Sequence, residues 1–170
     1  MHLNMFSFSL RFRKVLFWLI LAVVILFFCS FLRSQRVLGD SMMPTLHSGE
    51  QVIVSYVPGL LFSRGNIVVV SFATLHNDEV KRLVALPGDV LSFDSTGHLF
   101  INGEQYVSFG PFVPFSAFSA GNLLKQLAFY NSTLPHEMYL VLGDNMRDSS
   151  DSRSYGFISR EQLKGRVSFK

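Results

Sequence analysis

The sequence has a single cysteine, Cys29, and this scarcity excludes two classes of protein. One cysteine cannot form an internal disulfide, so the fold must be held by its core rather than by cross-links. Cys29 also lies inside a long apolar run, where a thiolate nucleophile would be buried among hydrocarbon side chains. The sequence therefore argues against a disulfide-stapled domain and against a cysteine protease.

Acidic residues are missing from positions 1–36, which carry five positive side chains and no negative one. The rest of the chain holds 10 basic and 12 acidic residues, a net charge of −2. The overall charge of +3 thus belongs to the N-terminal segment. A nucleic-acid-binding domain needs basic residues clustered on its folded surface, so we expect no nucleic-acid partner.

The basic residues of this segment flank an apolar run at 15–32 that has no charged side chain. As a helix the run would be about 27 Å long, close to the roughly 30 Å of a bilayer's hydrocarbon core. It is longer than the apolar part of a typical cleaved signal peptide, and no small-residue cleavage site follows it. We therefore predict a retained, single-pass transmembrane anchor at 15–32. More positive charge precedes the run than follows it, so residues 1–14 are expected in the cytoplasm and residues 37–170 outside the cell membrane.

Histidine offers no catalytic or metal-binding arrangement. None of the five histidines lies in a recognisable triad context, and no Gly-x-Ser-x-Gly elbow is present. Their spacing does not match a metal site. We expect neither a Ser-His-Asp hydrolase nor a metal or other cofactor.

The remainder of the chain is a series of short apolar, β-branched stretches separated by turn residues. Seven of them predict strands, at residues 51–57, 66–72, 79–86, 90–93, 98–101, 137–142 and 165–169. Residues 102–135 contain several prolines, which central strands exclude, so we expect a loop-rich insertion there. The pattern predicts a mainly β fold, with a folded antiparallel sheet or barrel-like domain after one N-terminal transmembrane helix.

Ser41 is the first candidate for chemistry. It follows Gly39 and precedes Pro44, a context that allows a tight turn with an exposed hydroxyl and backbone N–H groups aimed at an incoming carbonyl. Taken alone, the same residues also describe an ordinary turn serine.

Lys81 is the second candidate, because it lies in a strongly apolar strand pattern. Alternation places it on one face with Leu83 and Ala85. An ordinary lysine has a pKa near ~10.4, and desolvation on an apolar face disfavours the ammonium form. A neutral amine could take the proton from a serine hydroxyl. The alternative is a lysine that reaches solvent at a strand edge or pairs with Asp78 or Glu79.

A third segment, 143–156, follows a predicted buried strand and is dense in aspartate, serine and arginine. Such a composition is typical of a solvated loop. It could equally supply buried ion pairs and a hydroxyl that holds the lysine amine in place.

In their order along the chain, these segments resemble the conserved boxes of the type I signal peptidases, membrane-bound serine proteases with a Ser/Lys pair. The matching segments are 39–46 (nucleophile box), 64–70 (strand box), 81–89 (lysine box) and 143–156 (last box). The short insertion is similar to that of the Gram-positive form of the family. The resemblance implies an endopeptidase that works at the lipid bilayer and cleaves N-terminal signal peptides from exported preproteins with small residues at positions −1 and −3.

The resemblance also implies roles for individual residues. Ser41 would be the nucleophile and Lys81 its general base, with Ser149 orienting the lysine amine. The backbone at Gly39 and Ser41 would form the oxyanion region, which stabilises the acyl-transfer transition state. The residues implied to form structural ion pairs are Arg82, Asp144, Asp151 and Arg153.

Three positions depart from the family pattern, and one of them is Ala85, which stands where a glycine is usual. Gly39 stands where many members carry a hydroxyl residue that donates to the oxyanion, so the second donor stays open. Met146 stands where an arginine is usual, and Arg147 follows one step late. Two alternatives keep the same fold: a dedicated peptidase for a narrow set of surface or pilus precursors, and a non-catalytic accessory protein for such precursors. The presence of both Ser41 and Lys81 favours catalysis.

Overall fold

The computed structural model describes residues 4–57, 59–72, 75 and 77–169, and for residues 4–11, 28 and 169 it describes the backbone only. The first three residues of the predicted cytoplasmic segment lie outside this part. Helix α1 covers Asn4–Cys29, and the side chains along it from Phe12 to Phe27 are almost all exposed. Within the described residues, no helix combines the length and the apolar character that a membrane crossing requires. The transmembrane span at 15–32 stays a prediction.

Helix α1 ends inside the predicted span. The helix stops at Cys29 rather than at residue 32, because Leu32–Arg36 forms an edge strand. This strand pairs antiparallel with residues 51–55, from Leu32 opposite Ser55 to Arg36 opposite Gln51. This edge strand lies between the helix and the predicted domain at 37–170.

The described chain contains ten strands, two further α-helices and two short 3₁₀ helices at Ala128–Tyr130 and Arg160–Gln162. The strands are β1 (Leu32–Arg36), β2 (Gln51–Ser55), β3 (Ile67–Val70), β4 (Glu79–Ala85), β5 (Leu91–Phe93), β6 (Leu99–Ile101), β7 (Glu104–Gln105), β8 (Met138–Leu142), β9 (Ile158–Ser159) and β10 (Leu163–Phe169). The helices are α2 (Ala117–Leu127) and α3 (Ser152–Tyr155). Every strand pair that the structure describes is antiparallel, which confirms the mainly β prediction.

Seven strands form the main sheet in the order β1-β2-β10-β3-β4-β8-β9, and β5-β6-β7 form a small second sheet. Strand β4 lies near the middle of the main sheet, between β3 and β8. Five consecutive residues of β4, Lys81–Ala85, are buried because neighbouring strands and loops cover both of its faces. A charged side chain on β4 therefore needs a partner within the protein.

The alternation along β4 is interrupted, which corrects one prediction. Leu83 packs in a cluster with Val68 and Val141, whereas Ala85 packs in a second cluster with Leu140. The pairing of β4 with β8 shifts register between Leu83 and Ala85, and such a bulge turns the following side chain away from its expected face. The apolar face that Lys81 was predicted to share thus extends only to Leu83.

The insertion at 102–135 is more regular than predicted. It contains strand β7 and the eleven-residue helix α2. Ser116 caps the helix by accepting a hydrogen bond from the Ser119 N–H. Ala120, Leu123 and Leu127 recur at helical spacing and are buried. This apolar stripe packs the helix onto the cluster that also holds the small sheet.

Candidate active site

The nucleophile candidate lies in the connection between β1 and β2. Gly39 has a φ of 78°, a left-handed conformation that glycine adopts without steric cost. Its N–H donates to the Ser48 hydroxyl at 3.2 Å. Met42 and Leu46 on the same connection are buried in the core. The loop is therefore held in place on either side of Ser41. Ser41 itself is only partly buried.

Lys81, the second candidate, reaches Ser41 from the middle of β4. Its Nζ donates to Ser41 Oγ at 3.1 Å. The same nitrogen donates to the Glu79 carboxylate at 3.0 Å. The lysine is 1% exposed, whereas the Glu79 side chain is 35% exposed. A serine hydroxyl and a fully buried lysine nitrogen thus lie within hydrogen-bonding distance. Lys81 bonds both to the candidate nucleophile and to Glu79, so the two alternatives from the sequence occur together.

Ser149, predicted to orient Lys81, lies close to this pair but does not bond to it. Among the described residues, its Oγ is buried without a hydrogen-bond partner. The Ser149 side chain lies against the α-carbon of Gly143, and a methyl group added there would also come within 2.5 Å of the Ser41 carbonyl oxygen. The orienting role of Ser149 therefore stays a prediction, and Glu79 holds the lysine nitrogen in this structure.

Arg82 points to the side of β4 opposite Lys81 and is bound bidentately by Asp144. Its Nε donates to Asp144 Oδ1 at 2.7 Å and its Nη2 to Oδ2 at 2.6 Å. The Thr45 hydroxyl donates to the same carboxylate at 2.5 Å. The Phe109 ring covers the guanidinium at 3.7 Å from its centroid. Because Thr45 follows Ser41 by four residues, this buried ion pair also holds the nucleophile loop.

Asp151 and Arg153 form a second bidentate pair beneath the last loop. Arg153 donates from Nε and Nη2 to the two Asp151 oxygens at 2.9 and 2.8 Å. Asp151 also accepts the Gly143 N–H at 2.9 Å. Arg153 further donates to the Met146 carbonyl at 2.7 Å. The Met146 side chain itself is buried in the core, so an apolar contact takes the place of an arginine at this position, while Arg147 is exposed.

Two residues that the sequence analysis did not single out connect the loops. The Asn145 N–H donates to the Ser41 carbonyl at 2.9 Å, and the Asn145 amide donates to the Asp40 carbonyl at 3.2 Å. Thr45 joins Ser41's loop to Asp144, as described above. The proximity of Thr45 and Asn145 to the predicted motifs was the available signal, but their partners lie about a hundred residues away along the chain.

Taken together, an antiparallel β scaffold holds a serine hydroxyl in hydrogen-bonding contact with a buried lysine, an arrangement that fits a serine hydrolase. In the described part of the chain, no group of three or more His, Cys, Asp or Glu side chains could hold a metal ion. The arrangement can supply a nucleophile and a base directly from protein side chains.

Comparisons with known proteins agree with this class. Residues 10–170 match the family model described as signal peptidase, peptidase S26. Signal peptidase IB of Staphylococcus aureus (strain COL) is 36% identical, over 93% of this chain and 90% of the relative. Signal peptidase I S of Bacillus subtilis (strain 168) is 36% identical over 77% of this chain and 72% of the relative. A crystal structure of a signal peptidase I from Enterococcus faecalis V583 is 25% identical, with a TM-score of 0.46, and covers 64% of this chain and 98% of that chain.

The chain belongs to the peptidase S26 family of signal peptidases. It is a serine endopeptidase of the signal peptidase I type, and its substrates are the signal peptides of preproteins.

Proposed function

We propose that Ser41 is the nucleophile and Lys81 the general base with which this peptidase cleaves signal peptides from exported preproteins. The observation that carries the proposal is the 3.1 Å hydrogen bond between Lys81 Nζ and Ser41 Oγ. That distance lies within the range in which a base can take a proton in one step. The complete burial of Lys81 keeps bulk water from competing for its nitrogen.

The reaction follows from these two side chains. Neutral Lys81 removes the Ser41 hydroxyl proton while Oγ attacks the carbonyl carbon of the scissile bond. The resulting ammonium then protonates the leaving amine, and an acyl-enzyme on Ser41 remains. A water molecule, deprotonated by the same lysine, hydrolyses the acyl-enzyme. The oxyanion accepts a hydrogen bond from the Ser41 N–H. The Gly39 N–H already donates to Ser48, so Gly39 contributes turn geometry rather than a free donor.

The proposal includes a substrate with small residues at −1 and −3 of the cleavage site, bound as an extended segment. It also includes a membrane location, with α1 anchoring the enzyme as a single pass, residues 1–14 in the cytoplasm and residues 37–170 outside. The supporting observations are the apolar side chains exposed along α1 and the basic residues that flank the apolar run. An enzyme held at the bilayer meets substrates as they emerge from it.

The test is cleavage of a preprotein by the purified full chain in detergent. Ser41→Ala and Lys81→Ala are each expected to reduce kcat by at least about a thousandfold. Ser95→Ala and Lys125→Ala change the same residue types at exposed positions, and both should retain wild-type activity. Full cleavage by either dyad variant would overturn the assignment. A preprotein with phenylalanine at −1 should not be cleaved, and equal cleavage of it would contradict the proposed substrate class.

The membrane location needs a separate measurement in intact cells. Alkaline extraction of membranes should leave the protein in the pellet. External protease should degrade the domain at 37–170, while a tag on the N-terminus stays protected. Release of the protein into the supernatant, or protection of the domain together with the tag, would contradict this part of the proposal.

A further inference from the structure

Glu79 and Lys81 are two residues apart on β4 and therefore share one face of the strand. Both are held in register by β3, with Glu79 opposite Val70 and Lys81 opposite Val68. The carboxylate and the nitrogen meet at 3.0 Å. Since both side chains arise from one strand, no loop movement is needed to form the contact.

We propose that Glu79 is a positioning residue for the peptidase reaction, which holds Lys81 Nζ on Ser41 and sets the pH range in which that amine is free to act as a base. The proposal rests on the proposed catalytic roles of Ser41 and Lys81. The carboxylate accepts a hydrogen bond from the same nitrogen that bonds to Ser41 Oγ, and its negative charge favours the ammonium form. Glu79 would thus align the base while restraining its activity at low pH.

The surrounding groups leave Glu79 as the residue that performs this function. Ser149, the alternative from the sequence, has no hydrogen bond from its Oγ within the described residues. The guanidinium of Arg82 lies on the other face of β4 and is bound by Asp144. Asp40 and Asp78 adjoin Ser41 and Glu79 in the chain, and both are exposed, where solvent weakens their charge.

The partial exposure of Glu79 determines the size of the expected effect. With about a third of its side chain in contact with solvent, the ion pair is weaker than a fully buried one. A bound substrate that covers Glu79 would strengthen the interaction, because a lower local dielectric raises the energy between charges.

The experiment compares pH profiles of kcat/KM for the full chain with a preprotein substrate. Glu79→Gln keeps an oxygen that can accept from Lys81 but removes the charge. Its acid limb should move to lower pH, because a negative charge beside the amine is removed, with a plateau within about twofold of wild type. Glu79→Ala removes both acceptor and charge. Its acid limb should move similarly, and kcat on its plateau should fall roughly tenfold with little change in KM. Glu79→Asp, which keeps the charge on a shorter side chain, should lie between these variants and wild type.

Asp78→Asn is the matched control, because it removes the same charge one residue away and should leave the profile unchanged. A wild-type acid limb in Glu79→Gln, or an equal shift in Asp78→Asn, would overturn the proposal. A larger fall in kcat for Ser149→Ala than for Glu79→Ala would assign the positioning to Ser149 instead. Failure of the dyad itself gives a different result, since Lys81→Ala would then still cleave and the Glu79 variants would have no base to act through.

Discussion

Lys81 and Arg82 are consecutive residues on one strand, both cations and both buried, yet their surroundings differ sharply. The arginine meets a carboxylate that is 1% exposed and satisfies it with two nitrogens. The lysine meets a carboxylate that is 35% exposed and a serine hydroxyl. One face of β4 thus carries an ion pair that is buried on both sides, and the other carries an ion pair whose carboxylate is partly exposed to solvent.

The difference suits Arg82 to a structural role and Lys81 to a chemical one. A planar guanidinium held bidentately cannot lose its proton and has one stable geometry, so it suits the task of fixing Thr45 and the nucleophile loop. A lysine amine can exchange protons when burial disfavours its charge, and a partner at the solvent boundary leaves that exchange possible. We expect substitutions on the Lys81 face to change the rate, and substitutions on the Arg82 face to change stability.

Lys81→Met should produce the largest effect and break the comparison most directly. Methionine has a similar length and no charge, so it fills the site without a base. Cleavage should fall by at least about a thousandfold. The unfolding free energy should change little, because the Glu79 carboxylate that loses its partner is 35% exposed and can be hydrated. Activity assays and urea unfolding measure the two quantities on the same preparation. Loss of stability comparable with loss of activity would show that Lys81 is structural.

Asp144→Asn should have the opposite signature. The substitution leaves Arg82 buried and uncompensated, which costs about 3–5 kcal/mol of stability. Activity should decline as a consequence, because Thr45 and Arg82 must then share a single amide oxygen, which weakens the tie between the Ser41 loop and β4. Glu104→Gln removes an exposed carboxylate on β7 and should be neutral in both assays. An Asp144→Asn protein as stable as wild type would remove the basis for the structural role of this face.

Gly143→Ala should have a smaller effect on stability and tests how the last loop is packed against the site. A methyl group there would meet the Ser149 side chain and the Ser41 carbonyl oxygen. Such overpacking costs about 1–3 kcal/mol and should displace the Ser41 loop, so we expect a clear fall in kcat. Gly121→Ala is the control, because nothing lies within 4 Å of its new methyl group and alanine favours a helix by roughly 1 kcal/mol. Equal behaviour of the two variants in thermal unfolding would contradict the described packing.

The order of the motifs could be predicted from the sequence because each depends on local chemistry. The run Ile67–Val70 is apolar and β-branched, and it forms the strand that pairs with β4. Edge strand β1 has the polar sequence Leu-Arg-Ser-Gln-Arg, and no hydrophobic alternation marks it. It forms because β2 offers backbone groups to pair with, which is a tertiary effect.

The partners within the site were less predictable than its members. The sequence offered Asp78 and Glu79 equally as partners of Lys81, and only strand geometry places Glu79 on the lysine's side. Ser149 was expected to orient Lys81; its hydroxyl lies against Gly143 without a hydrogen-bond partner among the described residues, so that role stays a prediction. A difference of one or two ångströms in a loop decides such contacts, and composition carries no information at that scale.

Tyr106→Phe has the smallest expected effect, and it tests how far the burial on the Arg82 side of β4 extends. Burial, and secondarily the negative charge of Asp144, raise the pKa of Tyr106 to about 12. A phenol whose pKa is higher in the folded than in the unfolded chain stabilises the fold below pH 10, and this contribution is lost as the pH rises through 12. At pH 11 the loss relative to pH 9 should be about 1.4 kcal/mol for this group, on an unfolded pKa near ~10. Tyr106→Phe should remove that part of the decline in urea unfolding, whereas Tyr130→Phe, an exposed tyrosine on the same insertion, should not. An identical decline in wild type and Tyr106→Phe would show that the ring is accessible to water at high pH. The burial on the Arg82 side of β4 would then not extend to Tyr106.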